Sequence, residues 1–252
     1  MNSGRVVAIT GASSGIGAAL ALEAAAEGAR VALMARRVDE LEEIARQVRD
    51  RGGEAMVTPL DVSVHDQVIQ AFQSIEEEWG LPDVVIANAG IGRPSSVTKL
   101  RMEEIESLFK VNFFGVLYAA DAVISKMVER KSGRFAAVSS LAGWRGMPFS
   151  GSYSASKAAV TAWMESSRIQ LKDSGVELTT VHPGFVRTQM TAKNRFPMPF
   201  LMNADRASRI IYRGILAGQS EVNFPFATTA LMRVARHLPN PVFDRVLGGK
   251  KK

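Results

Sequence analysis

One stretch near the N-terminus restricts the fold more than any other. Residues 5–10, R-V-V-A-I-T, form a short β-branched run, and Thr10-Gly11-Ala12-Ser13-Ser14-Gly15-Ile16-Gly17 follows at once. An alanine-rich segment over 18–27, stopped by Gly28, leads to a second apolar run over 31–35. Apolar runs bounded by turn residues predict strands buried on both faces, as in a parallel sheet. The order strand, glycine turn, helix, strand is a βαβ unit, with Gly11, Gly15 and Gly17 in G-x-x-x-G-x-G spacing at its first turn. Glycines there let the backbone approach a pyrophosphate, and the helix start offers free N–H groups and a positive dipole end.

The second strand ends Met34-Ala35-Arg36-Arg37. A site for NAD wants an acid here to hold the ribose 2′-hydroxyl. Two arginines stand there instead, and a guanidinium suits a 2′-phosphate, so NADP(H) is the expected cofactor. Further strands are predicted over 55–60, 83–87, 134–138 and 176–182, with helices over 38–51, 64–79, 102–130 and 152–172 between them. Asp61 and Val62 follow the third strand at its carboxyl end, the edge where ligands bind in such sheets. This alternation predicts an α/β doubly wound parallel sheet. A helix over 203–218, with Asn203 as N-cap, and a last strand over 221–224 complete the expected domain, residues 1–228.

With 252 residues, 46% of them hydrophobic and 22% charged, the chain has mass for one large core. The absence of cysteine excludes thiol catalysis and thiolate metal sites, and the three scattered histidines suggest no metal cluster. No continuous apolar run reaches the roughly 18 residues of a bilayer span, and no signal peptide is evident, so a soluble cytoplasmic protein is expected. Of the net charge of +6, the segment from Ala230 onward carries +5, six basic residues against Asp244. The rest is near neutral, which argues against a nucleic-acid-binding face.

Tyr153 and Lys157 stand at i and i+4. On a helix, phenol and ammonium share one face, one turn apart. A nearby cation favours the phenolate and lowers a tyrosine pKa from its usual ~10, tuning the group to exchange a proton with a carbonyl or alcohol oxygen.

In combination these motifs resemble the short-chain dehydrogenase/reductase family over about the first three-quarters of the chain. T-G-A-S-S-G-I-G resembles its cofactor loop, Asp61-Val62 the pair set against adenine, and Asn88-Ala89-Gly90 its N-A-G turn, here preceded by Ala87 where Asn is commoner. Asn112, Ser140, Tyr153 and Lys157 fall in order at the places of its catalytic tetrad. Pro183, Gly184, Val186 and Thr188 fall in the segment that holds the nicotinamide carboxamide. The resemblance implies a Rossmann-type fold, a dinucleotide bound by Gly11, Ser13, Ser14, Gly15, Ile16 and Gly17, and assembly through the two long helices as a dimer or tetramer. It implies Tyr153 as general acid or base, Lys157 lowering its pKa and holding the nicotinamide ribose, Ser140 holding the substrate oxygen, and Asn112 kinking its helix to hold a water. Ser139 is the rival to Ser140. His182 is a tempting second acid, read as a packing residue.

Trp144, Met147, Pro148 and Phe149, together with the apolar stretch 196–202, fall where this family lines its cleft, and a lid is expected over about 189–218. An apolar cleft selects a hydrophobic ketone or aldehyde, or the matching secondary alcohol. A 3-oxoacyl-carrier-protein reductase and a non-catalytic nucleotide-binding regulator are the alternatives. Residues 229–252 form an amphipathic basic tail, with Leu231, Val234, Ala235 and Leu238 on one helical face. It is expected to pack on the domain or a partner subunit, or else to lie on an anionic membrane.

Overall fold

Seven strands lie side by side, all parallel, in a computed structural model that describes residues 4–193 and 196–247. In chain order the first half runs β1 (Val6–Thr10), α1 (Gly15–Ala26), β2 (Arg30–Ala35), α2 (Val38–Arg49), β3 (Glu54–Pro59), α3 (His65–Trp79) and β4 (Val84–Ala87). Then come α4 (Met102–Phe109), α5 (Gly115–Arg130), β5 (Gly133–Val138), α6 (Gly151–Gln170) and β6 (Val176–Pro183). Two-residue strands β7 (Val186–Arg187) and β8 (Met202–Asn203) precede α7 (Ala204–Leu216), β9 (Glu221–Phe224), α8 (Phe226–His237) and α9 (Asn240–Leu247). The sheet order is β3-β2-β1-β4-β5-β6-β9, so the winding reverses between β1 and β4. In open parallel sheets the crevice at such a reversal is where ligands bind.

Successive strand side chains feed opposite layers. Val7, Ile9, Val31, Leu33, Val84 and Ile86 pack against α1, α2 and α7. Val6, Ala8, Ala32, Met34, Val85 and Ala87 pack against α3, α5 and α6. Both faces are covered, so polar side chains reach solvent chiefly at the strand ends.

The helix predicted over 102–130 is not uniform. A π turn over Lys110–Phe114 separates α4 from α5. Its buried Asn112 accepts from the Ile91 N–H (2.8 Å) and donates to the Ile91 carbonyl (2.9 Å) and the Ser156 hydroxyl (3.1 Å). Taken as one piece, Met102–Arg130 is long and apolar enough to cross a membrane. Here its Leu108, Val116, Ala119, Val123 and Met127 are instead buried in the domain.

Two expectations fail. The lid does not extend to 218, because α7 is a core helix whose Ala207, Ile211, Tyr212 and Ile215 pack into the sheet layer beside α1. Among the described residues, those between β7 and β8 remain for a flap, whose ends are tied by the Val186–Met202 and Arg187–Asn203 pairs. The tail helix also turns the other way. Leu231 and Val234 are exposed, and α8 buries Thr228, Thr229 and Met232. Asn203 does precede α7, but its side chain caps nothing. The final Gly-Gly-Lys-Lys-Lys lies outside the described residues.

Gly214 allows α7 to touch β9, since a Cβ there would collide with Val222 Cγ2 and lie 3.1 Å from Gln219 Oε1. Gly214→Ala should therefore lower unfolding stability by about 1–3 kcal/mol, read by urea or thermal unfolding. Gly151→Ala, with nothing within 4 Å, should stay within about 0.5 kcal/mol of the parent chain.

Candidate active site

The crevice is built where β1 and β4 end. Thr10 Oγ1 accepts from the N–H groups of Asn88 and Ala89, both at 3.1 Å, and Asn88 Nδ2 donates to the Thr10 carbonyl at 2.9 Å. These bonds brace the Asn88-Ala89-Gly90 turn against the glycine loop. Gly11 has φ +69°, and a Cβ on it would lie 2.8 Å from Ala89 Cα, so both conformation and space call for glycine. At the start of α1, Ser14 makes no cap bond and the first turn holds no acid. Its N–H groups are therefore not occupied by a capping side chain, and the uncapped helix start suits an anion. Ile16 packs into the core behind the loop.

Arg37 donates to the hydroxyls of Ser13 (3.0 Å) and Ser14 (2.8 Å), to Glu40 (3.1 Å) and to Gln189 of the flap (3.2 Å). Arg36 is 67% exposed and lies 3.5 Å from Asp61. Burial pushes the Asp61 carboxyl up, but the Ser63 N–H and hydroxyl, followed by Arg36, outweigh it and hold it below the usual range. Val62 is buried, and a Cβ on Gly115 would lie 3.1 Å from its side chain. The segment after β6 returns over the loop, for the Thr188 methyl lies 3.0 Å from where a Gly15 Cβ would stand. Val186 is buried beneath it, and a Gly184 Cβ would lie 3.0 Å from Pro225 and 3.4 Å from Thr228. These residues suit a dinucleotide: an uncapped helix start for a pyrophosphate, and two guanidinium groups with two hydroxyls for a further phosphate.

Ser140, Tyr153, Lys157 and Asn112 come from three elements. Ser140 follows β5, accepts from the Ala142 N–H at 3.1 Å and donates to the Pro183 carbonyl at 3.4 Å, with the Tyr153 phenol near enough to feel its hydroxyl. Lys157 is buried, with Nζ donating to the Val138 carbonyl at 2.7 Å. A Cβ on Gly90 would lie 3.3 Å from both Asn112 Oδ1 and Lys157 Nζ, so the two side chains converge on that turn. Ser156, which the sequence reading passed over, accepts from Asn112 and donates to the Tyr153 carbonyl at 2.8 Å. It joins the π turn to α6, and no local pattern marks a serine for that task. Met190 was likewise missed. It borders Gly92 at 3.2 Å from the position of a Cβ, with the Tyr153 ring at 3.9 Å.

Burial outweighs the neighbouring polar groups at both titratable side chains. Burial pushes the Tyr153 phenol above its ordinary value, and the opposing Ser140 hydroxyl does not offset it. Lys157 gives its bond to Val138, and burial pulls its pKa down to about 8. Ser139 points away from the crevice, donating to the Lys157 carbonyl at 2.8 Å and meeting Thr161 at 2.9 Å. His182 is buried behind the site, 3.2 Å from the Thr161 hydroxyl and stacked near Trp144, with burial lowering its pKa.

Residues 5–198 match the family model described as short chain dehydrogenase. The chain belongs to this family. An oxidoreductase of Myxococcus xanthus is 40% identical over 240 residues, 95% of each chain. Ketoacyl reductase HetN of Nostoc is 35% identical over 200 residues, 79% of this chain and 70% of the relative. Among solved structures, the alcohol dehydrogenase of Thermococcus sibiricus complexed with 5-hydroxy-NADP is 30% identical. It superposes at a TM-score of 0.79 over 87% of this chain and 95% of its own. The protein is thus a short-chain dehydrogenase and an oxidoreductase.

A lysine with a depressed pKa in this short-chain dehydrogenase has a defined linkage. The unfolded chain holds the Lys157 proton up to about pH 10.5 and the folded chain only to about 8. Stability is therefore fully present above the unfolded value and is lost as pH falls through about 8. Lys157→Met should remove that part of the rise, worth up to about 3 kcal/mol between pH 8 and 10.5, in urea unfolding of the ligand-free protein.

Proposed function

We propose that this short-chain dehydrogenase moves a hydride between NADP(H) and a hydrophobic ketone or aldehyde, or the matching secondary alcohol. The observation that carries the cofactor choice is Arg37 seated on the Ser13 and Ser14 hydroxyls, with Arg36 beside it at the end of β2. These groups favour a 2′-phosphate, and the two carboxylates that touch them are already engaged, Asp61 by Arg36 and Ser63 and Glu40 by Arg37. The remaining contacts of the dinucleotide fall to Gly11, Gly15, Ile16 and Gly17, to Asp61 and Val62, to Asn88, Ala89 and Gly90, and to Pro183, Gly184, Val186 and Thr188.

The bound nicotinamide supplies the hydride. The proton is the protein's task. Tyr153, a phenol protonated at neutral pH, is the group placed to give its proton to a carbonyl oxygen in reduction and to take one back in oxidation. Ser140, beside that phenol, orients the substrate oxygen toward it. Lys157 holds the cofactor ribose, and Asn112, locked by Ile91 and Ser156, fixes the π turn beside Gly90. Met190 beside the Tyr153 ring, with exposed Phe149 on the loop before α6 and exposed Phe196 and Phe200 after β7, suits a hydrophobic substrate.

One observation favours a second reading, a 3-oxoacyl reductase fed by an acidic carrier. A groove of about 600 Å³ beside Ser152 is lined by Arg93, Lys99 and Arg101 against Glu104, with Leu100 and Phe149. Activity on carrier-bound 3-oxoacyl chains far above that on free hydrophobic carbonyls would select this reading.

Tyr153→Phe should lower NADPH-dependent reduction by about 10²–10⁴-fold while leaving NADPH affinity, read by fluorescence titration, unchanged. A fully active variant would refute the assigned role. Arg36→Ala with Arg37→Ala should weaken NADPH binding by about 10–100-fold and NADH binding little, since only the former loses charge-assisted bonds. An unchanged preference would place the selectivity elsewhere.

A further inference from the structure

The C-terminal helices carry an apolar surface turned away from the domain. On α8, Thr228, Thr229 and Met232 face inward. Phe226, Ala230 and Val234 stand four residues apart, one turn above another, on the opposite side, with Leu231 next to them. Phe226 is 86%, Leu231 60% and Val234 62% exposed. Helix α9 buries none of its residues, and Val242, Val246 and Leu247 are exposed. A soluble helix that packs one face normally covers the other with charge. Here apolar residues take that place, with Arg233 beside them on α8 and Arg245 on α9. Among the described residues neither of these two arginines enters an ion pair. Beyond Ala230 the sequence adds Lys250, Lys251 and Lys252 and offers one acid, Asp244.

This pair of helices is fastened to the crevice. Arg145 lies on the loop between Ser140 and Tyr153. Its guanidinium donates to the carbonyls of Ala235 and Leu238, each at 2.6 Å, and to Asn240 at 2.9 Å, and it lies 3.8 Å over the Phe243 ring. At the other end of α8, Pro225 and Thr228 abut Gly184. The outward apolar surface is thus held beside the crevice mouth by bonds from its own loop.

We propose that α8 and α9 form a docking surface for an anionic lipid bilayer, with Phe226, Leu231 and Val234 entering the interface and Arg233 and Arg245 on the headgroups. Charge selects this occupant over a second copy of the chain. An isologous contact would set each cationic surface against its own likeness, whereas anionic headgroups complement it. The docked orientation brings the crevice mouth to the lipid, a direct entry for an apolar carbonyl. That last consequence rests on the proposed function, and the docking does not.

The test is flotation of the full chain with phosphatidylcholine vesicles, with and without phosphatidylglycerol. Binding is expected only with phosphatidylglycerol, and it should weaken as salt rises. Arg233→Gln with Arg245→Gln should weaken it about 25-fold, some five-fold per cation. Phe226→Ser with Val234→Ser should abolish it, while thermal unfolding and reduction of a small water-soluble carbonyl stay unchanged. Val234→Glu alone serves as a second, less invasive variant. Absence of binding, binding indifferent to phosphatidylglycerol, or binding unaffected by the Phe226 and Val234 substitutions would overturn the proposal. So would a dimer, seen by sedimentation equilibrium, that these substitutions dissociate in a protein without vesicle affinity.

Discussion

The sheet of this short-chain dehydrogenase is parallel throughout and covered on both faces, and the rest of the molecule follows from that. Parallel neighbours require crossover helices, which bury both sides of every central strand. Polar chemistry is then confined to the carboxyl ends of the strands and to the helices that face them. Thr10, Asn88, Ser140 and Pro183 all stand at or just beyond such ends, on β1, β4, β5 and β6. The reversal between β1 and β4 opens the crevice between them, and the bonds from Thr10 to the Asn88-Ala89 turn hold its two sides together.

Within the crevice burial dominates the electrostatics. A protonated phenol and an ammonium with a pKa near 8 are what a low-dielectric pocket produces when neither group is paired with a full opposite charge. The hydrogen bond from Lys157 to Val138 orients that side chain, and neither it nor the nearby Ser140 hydroxyl offsets the effect of burial. Asn112 is fixed in the same way. Its amide satisfies the Ile91 backbone and the Ser156 hydroxyl at once, and the helix accommodates it with a π turn, a feature frequent at functional sites.

The chain beyond β6 belongs to the site as much as the glycine loop does. The flap between β7 and β8 reaches Arg37 through Gln189 and the Tyr153 region through Met190. Arg145 ties the loop between Ser140 and Tyr153 to α8 and α9. The buried α7 lies beside β7 and β8, the two short strands that carry the flap.

Much of this was legible in order along the chain. The strands and helices through β6 follow from apolar runs, glycine stops and alternation, because those signals are local. The glycine spacing, the paired arginines and the Tyr153–Lys157 interval are also local, and they mark the crevice without coordinates. The direction of the Tyr153 shift was not legible, since burial depends on which elements close over a side chain. The inward face of α8 and the core role of α7 were hidden for the same reason. An apolar stripe states that a surface needs covering, and only the packed neighbours decide which surface is covered. The sequence by itself determined the βαβ framework, the anion-binding turn and the identity of the polar groups, through backbone conformation and short-range periodicity. Tertiary structure alone decided the protonation tendencies, the Asn112–Ser156 brace and the outward apolar face of the tail, because each depends on contacts between segments far apart in the chain.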